Sequence, residues 1–249
     1  MNELYDKLEY FIKNSDSNKS IIATIKEEKA IAPFTTENKL MAYLLSIGAM
    51  TFQDYENLSH EFAKRYQEQN RYLDLFEMAP RTFGQTWGEK HIHKLFPQLL
   101  KATKNALAAE YPNFNGEFDL WYSGIRIEVK ACRANSSLTK GSLSSRAYSY
   151  EEAQKHNFKY HFQQLKPSCC DIFIWIGVCK DKLLYWILTS EELQQTGKLC
   201  PQHRNENTGR KKDYVFEGQV FMTEQELETF FTEENDIFNV ILAKSKNIP

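Results

Sequence analysis

The stretch Asp171-Ile172-Phe173-Ile174-Trp175-Ile176-Gly177-Val178 constrains the fold of this chain more than any other. After its opening aspartate the run carries no charge, and it is far too short to span a bilayer. It reads as a β-strand buried on both faces, which needs a covering layer on each side. Leu183 to Leu188 is its expected hairpin partner. Earlier in the chain Ile125 to Lys130 alternates strictly: Ile125, Ile127 and Val129 face one way, and Arg126, Glu128 and Lys130 the other. Phe118 to Tyr122 precedes it across Ser123-Gly124, a turn signal.

Helical spacing dominates before these strands. Leu4, Leu8, Phe11 and Ile12 keep it, as do Leu40, Tyr43, Leu44 and Ile47, and then Phe52, Tyr55, Leu58, Phe62 and Tyr66, followed by Leu73 and Phe76. Pro80 interrupts the pattern, and a new helix is expected from Thr82 to Leu100. A polar, Ser-rich stretch from Ala134 to Ser149 leads into a second expected helix, Tyr150 to Leu165. A basic loop covers Gln202 to Lys212, a strand is expected over Tyr214 to Phe221, and Thr223-Glu224-Gln225-Glu226 is a capping box opening a C-terminal helix. The order predicts an α/β fold: a central mixed β-sheet flanked by helices, residues 81–249, with a helical N-terminal region, residues 1–80, packed directly on it.

Nothing in the 249 residues suggests a membrane span, and the chain opens with Asn2, Glu3 and Asp6 rather than a basic segment leading into an apolar one. A cytoplasmic protein is expected. The five cysteines, at 132, 169, 170, 179 and 200, lack zinc-ribbon or zinc-finger spacing and read as reduced thiols. His91 and His93 sit two apart on a helix and cannot share a face, so they do not make a zinc pair. The net charge of −2 is unevenly spread: residues 1–121 carry −3, residues 122–212 carry +7 and residues 213–249 carry −6. The basic excess follows one segment, as a polyanion-binding surface on an otherwise neutral protein requires.

That segment also holds Glu128 and Lys130, and Asp119 lies just before it. Hydrolysis of a phosphodiester needs an attacking water, charge compensation at the phosphorus and help for the leaving oxygen. Hard Mg²⁺ provides much of this from one or two carboxylates plus water and phosphate, and a nearby lysine can orient the water and steady the phosphate. Asp119 on one strand and Glu128 on the next can converge on one metal. Lys130 lies two residues beyond Glu128, so it projects from the same face ~7 Å further along. Glu117 shares the face of Asp119 and competes with it for the role.

Asp119 followed by Glu128-Val129-Lys130, in a strand continuing to Ala131, resembles the signature of the PD-(D/E)XK nuclease superfamily. The resemblance covers residues 82–190. It implies a restriction-endonuclease-like core, a Mg²⁺ cofactor for which Mn²⁺ can substitute, a metal set of Asp119, Glu128 and Val129, and catalysis by these carboxylates with Lys130. It also assigns Glu89, in the preceding helix, and a glutamine of the following helix, Gln164 or its neighbour Gln163. Phe118 stands where the family's name has proline, at a position that varies within it.

Two loops are candidates for DNA contact. One offers Lys140, Ser142, Ser145 and Arg146, the other His203, Arg204, Asn205, Arg210, Lys211 and Lys212. The expected activity is that of a type II restriction endonuclease: Mg²⁺-dependent, sequence-specific cleavage of double-stranded DNA by a homodimer, with a cognate methyltransferase in the same system. A repair or junction-resolving nuclease of the same superfamily, and a catalytically inactive DNA-binding module, stand as alternatives.

Overall fold

The computed structural model describes residues 10–11, 37–202, 216–246 and 248. The chain divides into two compact units, Met1–Gln69 and Asn70–Pro249. In the first, helices α1 (Glu37–Ser46) and α2 (Phe52–Gln69) close on Leu40, Met41, Leu44, Met50 and Leu58. Gly48, at φ +70, takes the left-handed conformation just after α1. The boundary expected near residue 80 falls between 69 and 70 instead, because Leu75 and Phe76 are buried in the second unit's core with Ile92 and Ile174.

Pro80 starts the next helix rather than preventing one. Pro80 and Arg81 are already helical, since proline in a first turn lacks only an N–H that has no partner there. Thr82–Trp87 form a π-helical turn, with the Gly88 N–H donating to the Phe83 carbonyl, and α3 (Gly88–Leu95) continues from it. The helix stops short of the expected Leu100 because Phe96 precedes Pro97 and is held out of the helical region at φ −130.

Among the described residues eight strands follow: β1 (Leu100–Lys101), β2 (Leu120–Tyr122), β3 (Ile125–Arg133), β4 (Lys159–Leu165), β5 (Ile172–Val178), β6 (Leu183–Thr189), β7 (Cys200–Pro201) and β8 (Gly218–Thr223). Five make a mixed sheet in the order β1-β2-β3-β5-β6, with β3 and β5 parallel and the other neighbours antiparallel. The remaining three form an antiparallel sheet, β4-β8-β7. The fold is therefore α/β, with the mixed sheet expected and a second sheet that was not.

That second sheet replaces the end of an expected helix. Helix α4 spans only Tyr150–Lys155. Asn157 takes the left-handed conformation at φ 47, its N–H donates to the Gln154 carbonyl, and the Phe158 N–H donates to the Ala153 carbonyl. These two bonds and the left-handed residue form a Schellman stop, and the chain leaves extended as β4. Among the described residues three more α-helices follow: α5 (Ser190–Gln195), α6 (Glu224–Leu227), opened by the Thr223 capping box as expected, and α7 (Ile237–Ser245).

Every residue of β5 is buried, as its apolar run requires. Ile172, Ile174 and Ile176 pack with Ile127 and Val129 of β3, Ile92 of α3, and Ile237 and Ile241 of α7. Phe173 and Trp175 pack with Trp186 of β6 and with Tyr160, Phe162, Val220 and Met222 of the second sheet. Helices α3 and α7 thus cover one face of the large sheet, and the small sheet covers the other together with residues of three further short helices, Ala153, Leu193 and Leu227. Among the described residues no helix is long and apolar enough to cross a membrane.

Candidate active site

The β2–β3 hairpin sets the geometry. Its turn residues Ser123 and Gly124 both have positive φ, 46 and 90, the twist a two-residue hairpin favours. Leu120, Trp121 and Tyr122 pair with Ile127, Arg126 and Ile125, and the Asp119 N–H donates to the Ile127 carbonyl at 3.0 Å. One step further the ladder changes partner. The Val129 N–H donates to Oδ2 of Asp119 at 2.8 Å, so a side chain replaces a backbone acceptor. The N–H and C=O of one strand residue leave on the same edge, and the Val129 carbonyl consequently opens beside Asp119. Gly88 packs over Val129 and Ala131 of β3, and Glu89 follows it in the first turn of α3.

Electrostatics draw these groups together. Among the described residues Glu128, 9% exposed, is the only charged side chain that sits with the buried core. Its carboxylate forms an ion pair with Nζ of Lys130. Burial, and then the charge of Asp119, push Glu128 up to about 7, although Lys130 pulls the other way. Burial likewise raises Glu89 to about 7, reinforced by the charge of Asp119 and a hydrogen bond with it. Asp119 is raised by burial, against the pull of Lys130 and of the Val129 N–H. The hydrogen bond between Glu89 and Asp119 raises Glu89 and lowers Asp119, which favours Glu89 as its donor. Burial would lower Lys130, but Glu128 and Asp119 outweigh it and hold it above its ordinary value as an ammonium. Lys101 reaches Glu89 at 3.7 Å.

These side chains line one cleft of about 850 Å³. Glu89, Asp119, Glu128, Val129 and Lys130 all border it, with both Gln163 and Gln164. The glutamines come from strand β4, not from the helix expected there. Gln164 sits at a bulge with φ 56, its N–H donating to Oε1 of Gln202 at 2.9 Å, while Gln163 points to His161. Glu117 also borders the cleft, but one of its oxygens accepts the Asn115 N–H at 2.6 Å. Arg81, His161 and Lys166 complete the wall and were not picked out in the sequence. Only the period-2 pattern Phe158, Tyr160, Phe162 could have placed His161 on a strand.

The proposed contact loops fare differently. None of Lys140, Ser142, Ser145 and Arg146 borders the cleft. Arg146 turns inward and donates to the carbonyls of Ser136 at 3.0 Å and Ser142 at 3.4 Å, so it braces its loop instead of extending from it. Ser145 bonds back to Ser142 through both its N–H and its hydroxyl. His203, Arg204, Asn205, Arg210, Lys211 and Lys212 lie outside the described residues. His91 bonds the Tyr185 hydroxyl and His93 the Leu99 carbonyl, in keeping with opposite faces.

Among the described residues no group of three or more His, Cys, Asp and Glu side chains is arranged as a ready-made metal cage. A Mg²⁺ site needs less, since this ion keeps several waters and uses one or two carboxylates. Three desolvated carboxyl groups share one cleft, and protons hold down their repulsion at neutral pH. Such a set could hold a hard divalent cation, and Asp119, Glu128 and the Val129 carbonyl are the oxygen donors it offers. Compared with known proteins, the chain matches no family model, no curated protein and no solved structure at a significant level.

Proposed function

We propose that the chain is a Mg²⁺-dependent endonuclease of the PD-(D/E)XK type, acting on double-stranded DNA as a type II restriction enzyme. The observation that carries this reading is the cleft in which Asp119, Glu128 and Lys130 meet on adjacent strands beside Glu89. A mixed sheet with β3 parallel to β5, and the carboxylate-bearing β2–β3 hairpin beside that parallel pair, is compatible with a restriction-endonuclease-like core. When bound, the metal would supply Lewis-acid stabilisation of the phosphate and an acidified water.

The chain's own groups do the rest. The Val129 N–H fixes the Asp119 carboxylate, so that ligand arrives oriented rather than searching for its position. Glu128 and Asp119 keep Lys130 charged, and its ammonium orients the attacking water and balances the charge that develops on the scissile phosphate. Glu89 holds a proton against Asp119 and yields it as cationic charge enters the cleft. Mn²⁺ should substitute, because it accepts the same oxygen donors.

Incubation with mixed plasmid DNA and Mg²⁺ tests the assignment. Discrete fragments are expected, lost with chelator and with Asp119→Ala or Glu128→Ala. Random degradation would turn the reading toward a repair-type nuclease, and DNA binding without cutting toward an inactive binding module. Full activity in excess chelator would remove the metal from the mechanism.

A further inference from the structure

The small sheet has an outward face that packing does not explain. Along β4, Tyr160 and Phe162 are buried, while Lys159, His161 and Gln163 alternate outward. Along β8, Val220 and Met222 are buried, while Gln219 and Phe221 alternate outward. Register places His161 opposite Phe221 and Gln163 opposite Gln219. The His161 ring lies flat on Phe221, with centroids 3.8 Å apart and planes 17° from parallel. Phe221 is nevertheless 46% exposed.

Hydrogen bonds join the polar members. His161 Nε2 lies 3.0 Å from the Gln219 amide oxygen. The Gln163 amide nitrogen lies 3.0 Å from the same Nε2 and 3.3 Å from Nδ1. Among the described residues the Gln163 amide oxygen and the Gln219 amide nitrogen have no side-chain or backbone partner. One acceptor and one donor are thus held in place by a shared imidazole, across a strand pair whose facing side chains start about 5 Å apart.

We propose that this face reads base edges of the duplex whose backbone enters the Asp119–Glu128–Lys130 cleft, with Gln163 and Gln219 as the specificity-determining residues. The proposal rests on the nuclease reading for the position of the phosphates, and three observations favour duplex DNA as the occupant. Gln163 and His161 border the same cleft as Glu128 and Lys130, so the face is continuous with the site of cutting. Of the five outward side chains only Lys159 is a cation and none is acidic. A surface that merely tracks phosphates needs several cations, whereas carboxamides pair bidentately with the N6 and N7 edge of adenine. The β4–β8 pair, with the two-residue β7 beyond it, is also of a width that the ~12 Å major groove admits. His161 and Gln163 stand ~7 Å apart along β4, about two base-pair steps. His161 sets the amide orientations, and Phe221 offers an apolar contact of the kind a thymine methyl takes.

The test uses the full-length protein and two separate readouts. In Ca²⁺, duplexes recovered by the protein from a randomised pool are sequenced. In Mg²⁺, the ends left after cutting mixed DNA are sequenced. Wild type is expected to select one motif in both. Gln163→Ala and Gln219→Ala should each relax that motif at one base pair by roughly tenfold or more, and Phe221→Ala should weaken preference at a neighbouring thymine. Motif selection in Ca²⁺ with the same relaxation, but no cutting in Mg²⁺, would sink the nuclease reading and leave the base-reading face standing. An unchanged motif in all three variants, cutting without any motif, or preference for single strands would overturn the face and leave the nuclease. Neither selection nor cutting by wild type would overturn both. Circular dichroism of the variants separates altered reading from misfolding, since a misfolded variant loses binding to every sequence rather than preference at one position.

Discussion

Lys130 is where the site's charge balance is decided. It is the cation that Glu128 and Asp119 share, and under the proposed nuclease reading its work would lie in the transition state more than in ground-state binding. Lys130→Ala should slow cutting by roughly a hundredfold or more while leaving duplex affinity in Ca²⁺ nearly unchanged. Its Mg²⁺ affinity at pH 8 should not fall, because removing the ammonium relieves repulsion felt twice as strongly by a divalent cation as by a competing proton. A variant that cuts at the wild-type rate would reduce Lys130 to a solvated strand residue, and weakened Mg²⁺ binding would give it a structural role. The carboxyls make a second prediction. Burial raises Glu89 and Glu128 to about 7, so a metal entering the cleft would have to displace their protons. Apparent Mg²⁺ affinity should climb as pH rises to about 7 and level off above it, with proton release measurable at pH 6.5 by calorimetry in two buffers of different ionisation enthalpy. The sign for folding is opposite to that of a salt-bridged acid. The native state holds protons that the unfolded chain gives up, so metal-free stability should decline as pH rises from about 4.5 through 7. Affinity that is flat from pH 6 to 8 would contradict the shared-proton picture.

At the scale of elements, the contact between the two sheets turns on one small residue. A Cβ on Gly177 of β5 would lie 2.7 Å from the Trp186 ring and 2.8 Å from the Tyr160 ring, and both rings are buried and cannot swing aside. Gly177→Ala should therefore destabilise the protein by roughly 1–3 kcal/mol, read as a lowered denaturant midpoint with an unchanged slope. Equal stability would mean that the sheets slide apart easily. Strands β3, β5 and β6 were legible because their patterns are extreme: strict alternation over Ile125 to Lys130 and an unbroken apolar run over Ile172 to Val178. With them came Asp119, Glu128 and Lys130, since a strand's period of two puts Glu128 and Lys130 on one face. Strand β4 was not legible as such. Tyr150 to Lys155 is a true helix, and the eye carries it on to Leu165. The stop is a left-handed Asn157, a residue type that only sometimes ends helices. The reciprocal Ser149–Glu152 and Thr189–Glu192 capping boxes were visible as Ser-x-x-Glu and Thr-x-x-Glu, and would have marked where both short helices begin. The second sheet, and with it the face carrying His161 and Gln219, depends on pairing between residues about sixty positions apart, which local pattern does not reveal.

Taken whole, each chain carries one cleft with one set of Asp119, Glu128 and Lys130, whereas a duplex presents two antiparallel phosphodiester strands. Cutting both requires either two copies related by a twofold axis, which matches the symmetry of a palindromic site, or one copy visiting each strand in turn. The two routes differ in their kinetics. A twofold pair bound across the site cuts both strands in one encounter, so its rate on supercoiled plasmid grows with the square of protein concentration while monomer predominates, and linear DNA appears without a lag. A lone copy gives a first-order dependence and must pass through nicked circles, which accumulate before linear DNA forms. We expect the paired behaviour, with nicked circles increasing only as the protein is diluted below its association range, followed in parallel by sedimentation. Mixing wild type with excess Lys130→Ala provides the sharper measurement. Mixed pairs hold one working cleft, so nicked circles should become the main product. A single copy acting alone would instead yield linear DNA in proportion to the wild-type enzyme present, and that result would end the two-copy account.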